Sequence, residues 1–203
     1  MNTSTGNSWS DRQLVEKVLG GDNAAFGLIV KNTESLVAQI VFKMIDSPED
    51  RKDLAQDIYL KVFHKLSSFK FESKLSTWIA QVSYNNCFDY LRKKKLLLPG
   101  NLDQDKAPGE DHGDGDPFQT YSLQISNDLV VQKDLSAILH EAIEKLSPVY
   151  RTLISLYHQQ ELSYDEIGYI TGLPEGTVKS YLFRARKVLK ENLLVHYKKE
   201  DLC

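Results

Sequence analysis

FKFESKLSTWIAQVSYNNCFDYLRKKK, residues 69–95, is the stretch on which the fold turns. Leu75, Trp78, Ile79 and Val82 recur at helical spacing and make one apolar stripe. On the same wheel Tyr84 and Phe88 lie one turn apart, roughly opposite that stripe, and the helix closes on Arg92, Lys93, Lys94 and Lys95. A core helix has little use for outward aromatics. Single-stranded nucleic acid does, because bases stack and phosphates need cations; stacking is worth about 1–3 kcal/mol per base. The same residues also read as a bundle helix with misplaced aromatics and a solvated basic end, since charge runs are usually just solvated. The stretch alone leaves both readings open.

Upstream of it, the chain reads as three more helices. Ser10 and Gln13 form a start signal, with Trp9 placed to staple onto Leu14; Leu14, Val15, Val18 and Leu19 make the buried face. Gly20-Gly21 ends that helix and Asp22 caps the next. The second helix carries Phe26, Ile29, Val30, Leu36, Val37, Ile40, Val41 and Met44 on one side and runs to about Ile45. Ser47-Pro48-Glu49-Asp50 opens a third: a capping serine, proline at the first position, acids in the first turn. It buries Leu54, Ile58 and Val62 and shows Asp53, Gln56, Asp57 and Lys61 to solvent, with Leu60 amid that polar face. A lone outward leucine is usually of no consequence. Ringed by carboxylates, it also suits a docking anchor steered toward a basic partner.

The charge is unevenly spread. Residues 1–98 carry 14 Lys/Arg and 11 Asp/Glu, net +3; residues 99–128 carry one Lys and seven acids, net −6; residues 129–203 carry ten of each. The central stretch is rich in Gly, Pro and Asp and too poor in apolar residues to offset its ordering entropy, so it reads as a flexible linker over 98–127. The organisation expected is all-α: a four-helix domain over 1–97, the acidic linker, and a second helical domain over 128–203. Residues 1–8 are expected to be disordered. No apolar run approaches a membrane span and the N-terminus has no apolar signal core, so the expectation is a cytosolic protein without membrane insertion. Cys87 and Cys203 make neither a disulfide framework nor a metal pair, and the five histidines are scattered without ligand spacing. No metal, cofactor or catalytic residue is expected.

In the second domain Leu135, Ile138, Leu139, Ala142, Ile143 and Leu146 mark one helix, and Ser147-Pro148 opens another with Val149, Leu153, Ile154, Leu156 and Tyr157. Ser163-Tyr164-Asp165-Glu166 is a capping box. Residues 164–189 then fit a helix-turn-helix: Gly168 small where the helices approach, Gly172 where the turn needs a left-handed residue, Val178 and Leu182 facing the core. The outward face carries Glu175, Lys179, Ser180, Phe183, Arg184, Arg186 and Lys187, groups suited to phosphates and base edges in a major groove.

The assembled motifs resemble the extracytoplasmic-function sigma factors, within the sigma-70 family of bacterial transcription initiation factors. Residues 53–63, DLAQDIYLKVF, are similar to the family's core-binding helix; Ser76-Thr77-Trp78-Ile79 and Asp89-Tyr90-Leu91-Arg92 to its melting and −10 recognition helix; LSYDEI at 162–167 and PEGTVKS at 174–180 to its −35 domain. Gly21-Asp22 with Ala25-Phe26 matches its first conserved helix. The resemblance implies that Asp53, Gln56, Asp57 and Leu60 face the clamp helices of the RNA polymerase β′ subunit, with the β subunit a further contact. It implies that the loop around Phe69 and Lys70, with Asn85, holds a flipped base of the −10 element, beside Tyr84, Phe88, Arg92 and Lys93. It implies that Glu175, Lys179, Ser180, Phe183, Arg184 and Arg186 contact the −35 duplex. An anti-sigma factor is a further implied partner. Two departures stand out: Tyr181 where the family usually has Arg or Lys, and Gln160-Glu161 where Gly commonly precedes Leu162.

Two other classes compete. An autonomous helix-turn-helix regulator would need a basic excess to neutralise phosphates, and the second domain is net neutral. An enzyme would need a phosphate loop, a nucleophile with its base, or a metal cluster, and the sequence offers none.

Overall fold

The computed structural model describes residues 9–97 and 129–200. The expectations for residues 1–8 and for the linker at 98–127 lie outside the described residues. Among those described, every regular element is helical: α1 (Asp11–Leu19), α2 (Asn23–Met44), α3 (Pro48–Lys65), a 3-10 turn (Leu66–Ser68), α4 (Leu75–Leu97), α5 (Leu129–Glu144), α6 (Pro148–His158), α7 (Tyr164–Thr171) and α8 (Glu175–Glu200). The chain divides into two compact units.

Local chemistry sets the helix starts of the first unit. Ser10 and Gln13 close a capping box on α1. The Asp22 carboxylate accepts from the Ala24 and Ala25 N–H groups at 3.0 and 3.1 Å. Ser47 accepts from Asp50 N–H, with Pro48 in the first turn. Each such cap is worth about 1 kcal/mol. α4 is capped from a distance: the Asp11 carboxylate accepts from Leu75 N–H at 2.8 Å across 64 residues of sequence. One acidic side chain in the first turn of α1 therefore also holds the N-terminus of α4, and it favours the positive end of both dipoles.

The core of this unit is Leu14, Val15, Val18, Ile29, Val37, Ile40, Met44, Ile58, Val62, Leu66 and Ile79, all buried. α1 packs on α2, α2 on α3, and the 3-10 turn on both α1 and α3. Tyr90 donates to Asp50 at 2.5 Å and Lys61 to Asn86, joining α4 to α3. Leu19 departs from expectation: it is 55% exposed at the end of α1, while Val18 beside it is buried. α2 departs differently. Against the expectation that no run approaches a membrane span, it is long and apolar enough to cross one by length and composition. Part of its apolar surface is used in the bundle, with Ile29, Val37, Ile40 and Met44 covered, while Leu28 and Phe42 stay exposed.

In the second unit α8 packs on α6 and on α5 around Leu146, Leu153, Leu156, Ile167, Val178, Leu182 and Ala185. Ser147 caps α6. Arg151 is buried and donates to Glu144 at 2.9 Å, so the charge is paired rather than stranded. Leu139, expected inside, is 41% exposed; Ala142 is covered on α5, and Leu146 just after the helix.

Candidate nucleic-acid and protein interfaces

Three surfaces carry the residues singled out in the sequence. The first is the outer face of α3. Asp53, Gln56, Asp57 and Leu60 fall at i, i+3, i+4 and i+7, so they line one face, and all four are exposed. Leu60 is 59% exposed. The opposite side of α3 is pinned: Ile58 and Val62 are wholly covered, and the Tyr59 hydroxyl lies 3.1 Å from the Thr33 hydroxyl on α2. Burial pushes the Tyr59 phenol above its ordinary pKa, against the Thr33 hydrogen bond, which lowers it. Phe63, one turn beyond Leu60, is also largely exposed and meets Phe26 of α2 edge-on at 5.0 Å. Sequence reasoning took Phe63 only as part of a motif. Its place beside Leu60 on the wheel was the available signal, and it doubles the apolar knob.

The second surface is the loop before α4 together with the outer face of α4. Lys70, Asn85, Phe88, Arg92 and Lys93 are exposed. Tyr84 is not where the wheel put it. Tyr84 is buried, with the more exposed Phe88 ring stacked 6.2 Å from it. The reason is that α4 buries more than half its girth. Ala80, Ser83 and Cys87 form a second covered face beside Leu75 and Ile79, and Tyr84 sits at its margin. Cys87 belongs to that face, and burial raises its thiol pKa to about 12, so it is inert at neutral pH. Phe69 is likewise buried, its ring 5.3 Å from that of Trp78, which is core as well. Phe71, which the sequence did not single out, takes the outer position. Its φ is 60°, the left-handed region, which costs a non-glycine residue about 1–2 kcal/mol.

The third surface is the helix-turn-helix formed by α7 and α8. Ser163 and Glu166 close the capping box on α7. Gly172 has φ 72°, as its place in the turn required. At Gly168 a Cβ would lie 2.9 Å from the Leu173 carbonyl oxygen, so the tight approach is to the turn backbone. Glu161 has φ 52°: the turn before Leu162 keeps a left-handed residue although glycine is missing. On α8, Val178, Leu182 and Ala185 face inward; Glu175 and Lys179 are exposed; Ser180, Phe183, Arg184 and Arg186 are half-buried. Lys179 pairs with Glu175 at 2.8 Å, a hydrogen bond that raises the Lys179 pKa. Both side chains are more than half exposed, so that pair adds little stability.

Two tyrosines were missed here. Tyr157 of α6 and Tyr164 of α7 stack with centroids 5.1 Å apart and planes 9° from parallel. The Arg186 guanidinium lies 5.1 Å from the Tyr157 ring and the Lys179 ammonium 5.4 Å from that of Tyr164. Two cations of α8 thus rest on an aromatic bed from other helices, a juxtaposition no local pattern announces. Tyr181, the departure from the family pattern, packs edge-on to Tyr150 at 5.9 Å. Among the described residues no group of three or more His, Cys, Asp or Glu is placed to hold a metal.

Comparison with known proteins concerns the chain as a whole. Residues 29–96 match the family description "Sigma-70 region 2" and residues 136–189 match "Sigma-70, region 4". The chain is 32% identical over 187 residues to the ECF RNA polymerase sigma factor SigW of Bacillus subtilis, covering 90% of this chain and 96% of SigW. It is 33% identical over 182 residues to the ECF RNA polymerase sigma-E factor of Escherichia coli, covering 89% and 92%. Among solved structures, CnrH in complex with the cytosolic domain of CnrY superposes with a TM-score of 0.61 at 20% identity, covering 91% of this chain and 97% of CnrH. The sigma factor RpoE of Bartonella quintana, in complex with the anti-sigma factor NepR, gives 0.59 at 24% identity, covering 84% and 97%. These two likenesses concern the fold. Two sigma regions in order on one chain disfavour an autonomous regulator with a single DNA-binding module. The chain belongs to the extracytoplasmic-function RNA polymerase sigma factors of the sigma-70 family, which bind core polymerase and direct promoter recognition, melting and transcription initiation.

Proposed function

We propose a division of labour among the three surfaces. Asp53, Gln56, Asp57 and Leu60, joined by Phe63, dock on the β′ clamp helices of core RNA polymerase, with a further contact to the β subunit. Lys70, Asn85, Phe88, Arg92 and Lys93 hold the single-stranded −10 element, while Phe69 and Tyr84 support that surface from beneath. Glu175, Lys179, Ser180, Phe183, Arg184 and Arg186 contact the −35 duplex. Residues 1–97 and 128–203 act as separate domains on a tether, 98–127.

The observation that carries this reading is an exposed leucine on a rigid helix face, rimmed by carboxylates, on the same chain as two surfaces that mix aromatics with cations. The knob suits a protein partner. Nucleic acid needs the other two. Residues 129–203 carry as many acids as bases and so bind duplex weakly by themselves. Tethering through polymerase raises their effective concentration at the promoter. The protein acts by binding, in the cytoplasm, and performs no catalysis of its own. An anti-sigma factor is a further partner in this reading, as the solved structure of RpoE with the anti-sigma factor NepR supports. Run-off transcription from a mixed library of duplex templates, with core polymerase plus or minus this chain, is the test. Chain-dependent discrete transcripts are expected. Tight duplex binding as a dimer, without polymerase and without transcripts, would refute the proposal.

A further inference from the structure

The loop between the 3-10 turn and α4 holds Phe71 in the left-handed region, at φ 60°. A bulky side chain fits that region poorly, and glycine would occupy it without strain. Strain of this kind persists where the surroundings over-determine it, and it clusters at working sites. Here it aims a ring outward. Phe71 keeps 39% of its surface in water, against 6% for Phe69 two residues earlier. The rings form a stepped series: Trp78 to Phe69 at 5.3 Å, then Phe69 to Phe71 at 4.7 Å. Arg12, brought from α1 by the fold, sets its guanidinium 5.0 Å from the Phe71 centroid. Asp11, its neighbour, fixes the far end of the loop by capping Leu75. Lys70, beside the ring, is exposed.

We propose that Phe71 is the platform on which an unpaired base of the melted promoter strand stacks, with Arg12 as the cation at that platform. The inference rests on the reading of this loop as a −10 contact. Phe69 and Trp78 already fill the interior beneath the loop. A residue needed only to turn the chain at position 71 would be glycine. A partly exposed ring with a guanidinium over it brings stacking surface and cation together, as an unpaired base and its phosphate require.

The test uses holoenzyme reconstituted from core polymerase and the full chain. Its template is a promoter recovered by the native holoenzyme from a random duplex library. Opening is followed by permanganate reactivity of unpaired thymines, and folding by the thermal midpoint of the free chain. Phe71→Gly is expected to slow opening about tenfold while the midpoint holds or rises; Phe71→Trp is expected to open at close to the native rate. Native opening by Phe71→Gly overturns the proposal. So does a midpoint that falls together with opening, because the ring would then be structural, and so does a Phe71→Trp variant as slow as the glycine one. Lys70→Ala and Asn85→Ala separate this inference from the reading beneath it. If they slow opening and Phe71→Gly does not, only the platform fails. If none of the three slows opening, the loop is not a −10 contact at all.

Discussion

Leu60 offers the sharpest test of the docking face. Leu60→Ala removes three carbons, each worth about 0.8 kcal/mol when taken from water. In the free chain 59% of the residue is still exposed, so about three-fifths of that gain remains to be made on binding. The product is about 1.4 kcal/mol, close to a tenfold weaker Kd for core polymerase. Folding should scarcely register the change, because an exposed position is worth within about 0.5 kcal/mol. The assay is a titration of labelled chain with core polymerase, paired with a thermal melt. Leu19→Ala is the control: at 55% exposure it offers a similar apolar loss on α1, outside the docking face. A Leu60→Ala chain that melts normally and binds within about twofold of native refutes the assignment. So does a Leu19→Ala chain whose binding weakens as much. The rim is tested by Asp57→Arg, which should slow association most at low salt, since charges at a rim act mainly on the on-rate.

The remaining expectations follow from other parts of the fold. Asp11→Ala removes the cap on Leu75 N–H and should cost about 1 kcal/mol in a thermal melt; an unchanged midpoint would mean water replaces the carboxylate without loss. Gly168→Ala gains about 1 kcal/mol of helix propensity. It also drives a Cβ to 2.9 Å from the Leu173 carbonyl oxygen, and moving backbone costs about 1–3 kcal/mol. A net loss of about 1 kcal/mol is expected, and a raised midpoint would show that the turn relaxes freely. Lys179→Ala combined with Arg184→Ala should weaken holoenzyme binding to a −35 duplex, by about 1–3 kcal/mol for each side chain that reads a base edge; unchanged affinity in a competition assay removes that assignment. His158 has its pKa lowered by burial first and by Arg186 second. The folded chain therefore resists the proton that the unfolded chain accepts. Stability is full above the unfolded pKa, near 6.5, and falls as pH drops through it toward the folded value. The thermal midpoint should fall between pH 7.5 and pH 5.5, and His158→Gln should lessen that fall.

Much of this molecule is written locally. Ser10, Asp22, Ser47, Ser147 and Ser163 begin their helices as read, because a cap is a contact over two or three residues and needs no tertiary partner. Gly172 turns left-handed and Gly168 is tight for equally local reasons. Leu60 stands outward because it falls on the far side of α3 from Ile58 and Val62, which a wheel is enough to show. The order of the motifs likewise fixed the family. What the wheel could not supply was the width of a buried arc. Tyr84 lies opposite one stripe, yet α4 is covered on two sides, so the ring is enclosed and Phe88 alone remains outward. Nor could spacing bring Asp11 to Leu75, Arg12 to Phe71, or Arg186 to Tyr157. These meetings join residues far apart in the chain, and only packing of whole helices decides them. The left-handed Phe71 belongs with them, since a strained backbone survives where tertiary contacts outweigh its local cost.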